Sequence, residues 1–192
     1  MASKKESTFL SMTITLLMVT VAAALALGGV YSMTKEKIEM AKKAKLEAAI
    51  QKVVPAFDEL KSYKVKPEGK ADSLGFYEAI KDGTVVGTAI ETYTDDGFSG
   101  RIRIMVGFKP DGTIINTAVL EHKETPGLGD KMEASKSDFP NQFEGKNPEK
   151  FDLRVKKDGG DVDAITASTI TSRAFCDATE RAYKALKKQG GK

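Results

Sequence analysis

The sequence predicts an α+β protein in which an N-terminal transmembrane helix precedes one domain with an antiparallel β meander and flanking helices. Three observations support this prediction. Residues 7–34 contain no charged side chain, and a helix that spans a bilayer needs about 20 apolar residues. Residues 74–122 alternate between apolar and polar side chains and are interrupted by Asp-Gly turns, which is typical of antiparallel hairpins. Residues 170–189 repeat apolar side chains at helical spacing.

The composition excludes several kinds of site. Lys and Arg number 30 against 27 Asp and Glu, and the formal charge is only +3, so no strongly basic face for nucleic acid is expected. An iron–sulfur cluster or a structural zinc ion needs about four Cys or His ligands, whereas the 192 residues include one Cys and one His. We therefore expect no metal site and no nucleic-acid partner, and any redox activity must depend on an organic cofactor.

The apolar run divides the chain into a predicted short segment 1–8, a transmembrane anchor 9–33 and a domain 34–192. A cleaved signal peptide is the alternative, because Ala-Leu-Ala at residues 24–26 resembles a cleavage site. The run is longer than the apolar core of a usual signal peptide and continues to Tyr31, which favours an uncleaved anchor.

The charges that flank the anchor leave its orientation open. Only two lysines precede it, at positions 4 and 5, and a larger group follows it: Lys35, Lys37, Lys42, Lys43 and Lys45. A count of positive charges places the C-terminal side in the cytoplasm, but this rule is weak for long translocated domains.

The domain is predicted to begin with a helix and to continue as a meander. Residues 34–54 carry apolar side chains near one helical face and end before Pro55. Four strands follow, at residues 74–80, 84–93, 101–108 and 113–121. Residues 95–100 are interpreted as a connecting loop. This pattern contains no Gly-rich turn after a strand of the kind that binds dinucleotides.

The C-terminal half is predicted to be loop-rich before one last helix. A short strand is expected at residues 153–155, and the aromatic residues Phe139, Phe143 and Phe151 are interpreted as satellite core residues. The last helix extends to about residue 189 and has one apolar face, formed by Ile170, Ala174, Ala178, Ala182 and Leu186.

Two motifs indicate a ligand site. The first is a turned loop at residues 124–129, Glu-Thr-Pro-Gly-Leu-Gly, directly after the meander; its glycines allow a ligand to approach the backbone. The second is Thr-Ala-Ser-Thr-Ile-Thr-Ser at residues 166–172, where the last helix opens. Hydroxyl side chains at this position either cap the free N–H groups of the helix or help to hold an anion at the positive end of its dipole.

With the anchor, these motifs resemble the FMN-binding domain family, and within it the flavin-carrying subunits of Rnf-type electron-transport complexes. Members of that family join FMN to a threonine through a phosphoester bond, in the pattern Ser/Thr-Gly-Ala-Thr-x-Thr/Ser-Ser. The resemblance assigns Thr169 as the modified residue. Ala167 replaces the usual Gly and Ser168 the usual Ala; both remain small, but Ser168 adds a second possible acceptor beside Thr169.

The resemblance also implies roles for neighbouring residues. Asp163 corresponds to an acidic residue that the modifying enzyme, a Mg-dependent flavin transferase, reads before it attaches FMN from FAD. The remaining expected cofactor-binding residues are Thr166, Ala167, Ser168, Ile170, Thr171, Ser172, Glu124, Thr125, Gly127, Leu128 and Gly129. No residue with an acid–base catalytic role is expected. His122 and Lys123 beside the loop are interpreted mainly as structural residues.

The function that the resemblance implies is electron transfer within a membrane complex. The chain would be the electron-carrying subunit of an Rnf-type complex, which couples ferredoxin:NAD oxidoreduction to ion transport, and not a complete enzyme by itself. Its partners would be the other Rnf subunits, and its domain would lie on the periplasmic side of the cell inner membrane. Three alternatives remain: the C subunit of a sodium-translocating NADH:quinone reductase, a non-covalent FMN binder, and an anchored binding or assembly module without flavin.

Overall fold

The structure, a computed structural model, describes residues 8–67 and 72–190; most of the predicted segment 1–8 lies outside this range. It confirms the α+β class. The two helices and five strands are α1 (Phe9–Val53), β1 (Glu59–Val65), β2 (Leu74–Lys81), β3 (Thr84–Gly97), β4 (Gly100–Phe108), β5 (Ile114–Glu121) and α2 (Thr169–Gly190).

The chain divides into two compact units, Met1–Ala44 and Lys45–Lys192. In the first unit, residues 9–44 belong to α1, and its apolar side chains are exposed along residues 9–33. The last turns of α1 belong to the second unit. α1 is the one helix in the described part of the chain that is long and apolar enough to cross a membrane, with a mean hydropathy of 2.2 over 18 residues. The predicted division into an anchor 9–33 and a domain 34–192 stays a prediction.

The second unit contains a five-stranded sheet in which the strand order is the chain order, β1-β2-β3-β4-β5, and each pair is antiparallel. The predicted meander is therefore confirmed. β3 extends to Gly97 and β4 begins at Gly100, so the loop predicted at residues 95–100 is wrong: only Phe98 and Ser99 separate the strands. β1 is not predicted from the sequence, because this edge strand is mostly exposed and its side chains are largely polar.

α2 covers one face of the sheet and forms the main core with it. Ala174, Ala178 and Ala182 are buried against the strands, and the Thr92 hydroxyl of β3 donates to the Ala178 carbonyl oxygen at 3.1 Å. The prediction that Ile170 belongs to this buried face is wrong, because its side chain is 47% exposed. Thr171 is the buried residue beside it in the first turn, which leaves Ile170 facing outward.

The last turns of α1 cover the opposite face. Ala49, Ile50 and Val53 pack on a second core that includes Ala79, Ala89 and Met105. At Gly107 of β4 the two backbones touch: a Cβ atom there would lie 1.8 Å from the Val53 carbonyl oxygen. Glycine is thus required at this position for α1 to reach the sheet.

The segment between β5 and α2 is held by short turns and an aromatic cluster. Phe139 and Phe143 lie against Phe175 of α2, with ring centroids 5.4 and 5.1 Å away, so these two residues belong to the main core and the satellite interpretation is wrong for them. The strand predicted at residues 153–155 is also wrong. Among the described residues, Val155 forms an isolated parallel bridge with Val162, because a short 3-10 helix, Lys156–Asp158, follows Val155 directly.

Candidate cofactor site

The buried carboxylate of Glu124 joins the two motifs. One of its oxygens accepts a hydrogen bond from the Thr171 hydroxyl at 2.6 Å, and the other accepts one from the Ser99 amide at 2.8 Å. Glu124 is 5% exposed. Because a buried charge is stable only when it is well hydrogen-bonded, this carboxylate fixes the β3–β4 turn and the start of α2 to its own loop.

Gly129 allows this contact between loop and helix. A Cβ atom at this position would lie 2.5 Å from a carboxylate oxygen of Glu124 and 2.9 Å from the Thr171 hydroxyl. The loop itself closes through the Leu128 amide, which donates to the Thr125 carbonyl oxygen at 3.2 Å. Gly127 has a φ of +78°, a conformation that favours glycine. The loop is thus a tight turn packed against the first turn of α2.

His122 is hydrogen-bonded to the same loop. Its Nδ1 accepts a hydrogen bond from the Glu124 amide at 3.1 Å, so in the neutral ring the proton is on Nε2. That nitrogen lies 2.9 Å from a carboxylate oxygen of Glu133. Both ring nitrogens are therefore used by the protein, in agreement with the structural role predicted for His122.

The opening of α2 presents three backbone N–H groups without a partner. Ser172 makes the first helical bond, to the Ser168 carbonyl oxygen at 3.0 Å. Within the described ranges 8–67 and 72–190, no hydrogen bond reaches the amides of Thr169, Ile170 and Thr171. Unpaired amides at a helix N-terminus are suited to a phosphate group.

The hydroxyls of this segment differ in exposure. Ser168 is 8% exposed and Ser172 is fully buried; the Ser172 hydroxyl accepts from the Ile165 amide at 2.9 Å and donates to the Ser168 carbonyl oxygen at 3.0 Å. Thr169 is half-buried and Thr166 is exposed. Of the two adjacent candidates, Thr169 is therefore more accessible than Ser168.

Ala167 has a φ of +62°, which explains why glycine suits this place in the motif. An L-residue with a Cβ atom is strained in this left-handed conformation by about 1–2 kcal/mol. The strain lies in the turn directly before α2, two residues from Thr169.

We expect Ala167→Gly to raise the free energy of unfolding by about 0.5–1 kcal/mol, because relief of the strain exceeds the added entropy of the unfolded chain. Thermal unfolding of the full chain in detergent, followed by circular dichroism, measures the change. Ala164→Gly, nearby but without a positive φ, is the control and should lower stability. Equal effects of the two substitutions would contradict the strain.

Three exposed apolar residues are chain neighbours of residues at the Glu124 carboxylate and its loop. Phe98, Leu128 and Ile170 are 68%, 42% and 47% exposed, the highest values among the large apolar residues described between positions 45 and 190. Each is the chain neighbour of a residue that contacts this carboxylate or its loop: Ser99, Gly129 and Thr171. An exposed apolar surface next to unpaired amides fits a ligand with a planar aromatic ring and a phosphate, as FMN has.

Asp163 lies before the turn that leads into α2, and its backbone is held by Gln142. Its amide donates to Oε1 of Gln142 at 2.8 Å, and Nε2 of Gln142 donates to its carbonyl oxygen at 3.1 Å. Its side chain is 68% exposed, and among the described residues its carboxylate pairs with Lys156, at 2.7 Å. The backbone is thus fixed while the carboxylate stays accessible to another protein.

Cys176, the single cysteine, is unsuited to redox chemistry. It is a free thiol that is 5% exposed, and burial, assisted by Asp152 and Asp158, raises its pKa to about 12. Because the thiolate is the reactive form, this residue is inert at neutral pH.

Glu124→Gln should lower the free energy of unfolding by about 2 kcal/mol, because an amide cannot accept from both the Ser99 amide and the Thr171 hydroxyl with the strength of a carboxylate. Thermal unfolding of the full chain tests this. The matched control is Glu121→Gln, an exposed partner of Arg103 at 3.2 Å, which should change stability by less than about 1 kcal/mol. Equal stability of the Glu124 variant and the wild type would contradict the role of its carboxylate.

The structure brings Glu124, Gly129 and Thr171 into direct contact. The other residues of the two motifs lie in the loop of residues 124–129 and in the segment 166–172 that opens α2. Their roles as cofactor ligands stay predictions. Phe98 and Ser99, in the β3–β4 turn, are not among the site residues predicted from the sequence; the Ser99 amide reaches the site through its bond to Glu124. An exposed aromatic residue between Gly97 and Gly100 is the available signal, but in the sequence it cannot be distinguished from a residue of an ordinary loop.

Comparisons with known proteins agree with this geometry. The sequence profile of the FMN-binding domain family matches residues 97–184, a range that contains both motifs and Phe98. A protein of Erwinia tasmaniensis, named as the G subunit of an ion-translocating oxidoreductase complex, is 40% identical over 162 residues, covering 78% of this chain and 76% of the relative. A protein with the same name from Vibrio atlanticus is 36% identical over 162 residues, covering 79% of this chain and 78% of the relative. Another, from Haemophilus influenzae, is 38% identical over 162 residues, covering 80% of this chain and 78% of the relative.

These identities extend over more than three quarters of each relative. The chain therefore carries an FMN-binding domain and belongs to the family of G subunits of ion-translocating oxidoreductase complexes.

Proposed function

We propose that this chain is the electron-transport subunit of a membrane-bound, ion-translocating oxidoreductase complex of the Rnf type, and that it carries FMN bound covalently to Thr169. The observation that carries the proposal is the group of three unpaired amides at the start of α2, next to an accessible threonine hydroxyl. A phosphate attached there would be stabilised by those N–H groups and by the helix dipole.

The difference in exposure supports Thr169 over Ser168 as the attachment residue. An acceptor hydroxyl must reach the active site of a separate enzyme, and Ser168 is 8% exposed whereas Thr169 is half-buried. Thr169 also starts α2, so a phosphoester on its oxygen lies in the first helical turn. Ser172 is occupied by its bonds to Ile165 and Ser168.

Attachment requires FAD and a flavin transferase. The Thr169 oxygen gains a bond to the phosphorus of the FMN portion, the bond between that phosphorus and the bridging oxygen of FAD breaks, AMP leaves, and the hydroxyl proton is lost to a base. A threonine hydroxyl is too weak a nucleophile to react unaided, so the transferase supplies the activation. The exposed Asp163 carboxylate is proposed as a feature it reads.

The bound flavin would supply reversible electron transfer, and this chain's residues would orient it. Phe98, Leu128 and Ile170 would pack against the ring, and Thr166 would add a hydroxyl donor to the phosphate. The Glu124 carboxylate would act through Thr171 and Ser99, which it holds. A covalent bond makes occupancy independent of the concentration of free FMN.

The membrane location is proposed from α1 and from the names of the relatives. Ion translocation takes place across a membrane, and α1 can span one. We propose that the domain lies on the periplasmic side, that the other Rnf subunits are its electron donor and acceptor, and that the complex couples ferredoxin:NAD oxidoreduction to ion transport. The relatives' shared name favours this assignment over the C subunit of the quinone reductase.

The experiment that tests the proposal is the intact mass of the denatured full chain, purified from a host that contains a flavin transferase. We expect an added mass of FMN less one water on the peptide that contains Thr169. Asp163→Ala should slow this loading without loss of stability. An unmodified mass would mean either that the flavin is bound non-covalently and is released on denaturation, or that the chain is a module without flavin. Flavin absorbance in the released fraction distinguishes these two cases.

A further inference from the structure

β1 and β5 are the two edges of the sheet. β5 pairs with β4 on one side, and its other side is covered in part by the described residues. At its start, Ile114 exchanges two backbone hydrogen bonds with residues 145 and 146, and the Thr117 amide donates to its neighbouring Asn116 side chain at 2.7 Å. Among the described residues, no backbone hydrogen bond outside the sheet reaches residues 118–120. This part of β5 can accept another strand.

A groove of about 240 Å³ runs beside this open edge. One side of the groove is the end of α1, where the small side chains of Ala48 and Ala49 lie between Lys45 and Lys52 in the chain. The other wall is formed by the segment after β5, with Met132, Glu133, Ala134, Ser135 and Pro140. The two lysines are seven positions apart and therefore lie on the same side of α1.

The charges in the groove are unbalanced. Neither Lys45 nor Lys52 makes an ion pair with any residue in the described ranges. Glu133, the carboxylate of the same groove, is already bonded to His122 and to the Ser135 hydroxyl. Thr117, which also lines the groove, is 2% exposed, and its hydroxyl has no partner among the described residues. The groove thus offers positive charge, and the Thr117 hydroxyl that lines it is buried without a partner among the described residues.

We propose that this groove docks an extended, acidic segment of another subunit of the same complex, which adds a strand to β5 and places carboxylates beside Lys45 and Lys52. Three features select this occupant: the open strand edge requires an extended backbone, the unpaired lysines require negative charge, and the small side chains of Ala48 and Ala49 leave room for other side chains. The proposal depends on the proposed function only in naming the partner as a subunit of the complex.

The groove is connected to the cofactor site through the side chain of His122. Its wall residue Glu133 bonds to His122, and His122 bonds to the amide of Glu124. A segment docked here therefore lies beside the residues that hold the loop of residues 124–129. This position suits a neighbour that must keep a fixed distance from the flavin during electron transfer.

The first test is photo-crosslinking from a benzoyl-phenylalanine placed at residue 48 in the full chain within the intact complex, with residue 62 on the exposed edge strand β1 as the control position. The expected result is a crosslink from residue 48 to an extended acidic segment of another subunit, mapped by mass spectrometry. The proposal would be overturned if residue 48 crosslinked only to lipid or to a second copy of this chain. It would also be overturned if residue 62 gave the same crosslink as residue 48.

The second test is retention of the chain in the complex during purification at increasing salt. Lys45→Gln with Lys52→Gln should weaken retention roughly tenfold, because docked charge pairs lose their partners, whereas Lys61→Gln with Lys64→Gln on β1 should leave it unchanged. Equal retention of both variants would refute the docking surface. In-gel fluorescence after denaturation measures covalent flavin separately. A Lys45/Lys52 variant that carries flavin but is not retained has lost docking alone. Absence of covalent flavin from the wild type as well would instead count against the proposed function.

Discussion

Thr169→Val is expected to eliminate covalently bound flavin and to leave the domain folded. Valine has nearly the shape of threonine but has no hydroxyl oxygen, so the phosphoester cannot form, and the fluorescent band of the denatured protein should fall below detection. Thr169 is half-buried and no hydrogen bond of its hydroxyl is found within the described ranges. The free energy of unfolding of the unmodified protein should therefore change by no more than about 0.5 kcal/mol.

Neighbouring hydroxyls provide the controls for this experiment. Ser168→Ala and Thr166→Val each remove one hydroxyl within three residues of Thr169, and both variants should keep a covalent flavin. A fluorescent band in the Thr169 variant, or its loss in the Ser168 variant, would move the attachment to another residue. Circular dichroism of each variant separates lost chemistry from lost structure.

Gly107→Ala is expected to destabilise the domain by about 3 kcal/mol or more. The new methyl group would lie 1.8 Å from the Val53 carbonyl oxygen, and backbone cannot move aside as a flexible side chain can. Relief requires the end of α1 to leave the sheet, which exposes Ile50, Val53 and Met105. For a domain of this size the midpoint of thermal unfolding should fall by roughly 6–12 °C.

The matched control is Gly75→Ala in β2. A Cβ atom there would meet the ends of the Glu91 and Tyr77 side chains at 3.1 Å, and these can rotate away, so the loss should stay below about 1 kcal/mol. Similar melting temperatures for the two variants would show that α1 is not held against the sheet through Gly107.

Local patterns are sufficient to predict most elements of the fold. The alternation of Ile102, Ile104 and Val106 identifies β4, and all three residues lie in the main core. Spacing identifies α2 through Ala174, Ala178 and Ala182, which are buried. These signals are strong because burial on one face imposes its period on the sequence.

Features that depend on contacts distant in sequence are not predictable in this way. Glu124 is 47 residues from Thr171 and 25 from Ser99, and no local pattern indicates that its carboxylate holds both. β1 is missed because its pairing with β2 requires no apolar alternation at an exposed edge. For Ile170, helical period predicts a buried face, but packing of the first turn against the loop of Glu124 determines the outcome.

The strand order of the sheet has a consequence for biogenesis. Because every strand pairs with its neighbour in the chain, the sheet can assemble step by step while the polypeptide emerges, without waiting for a distant segment. α2 follows all five strands in the chain, so its packing completes the main core after the sheet has formed and creates the unpaired amides beside Thr169. A transferase that recognises the folded segment would thus modify only fully folded molecules. A covalent flavin would then mark chains whose folding is complete.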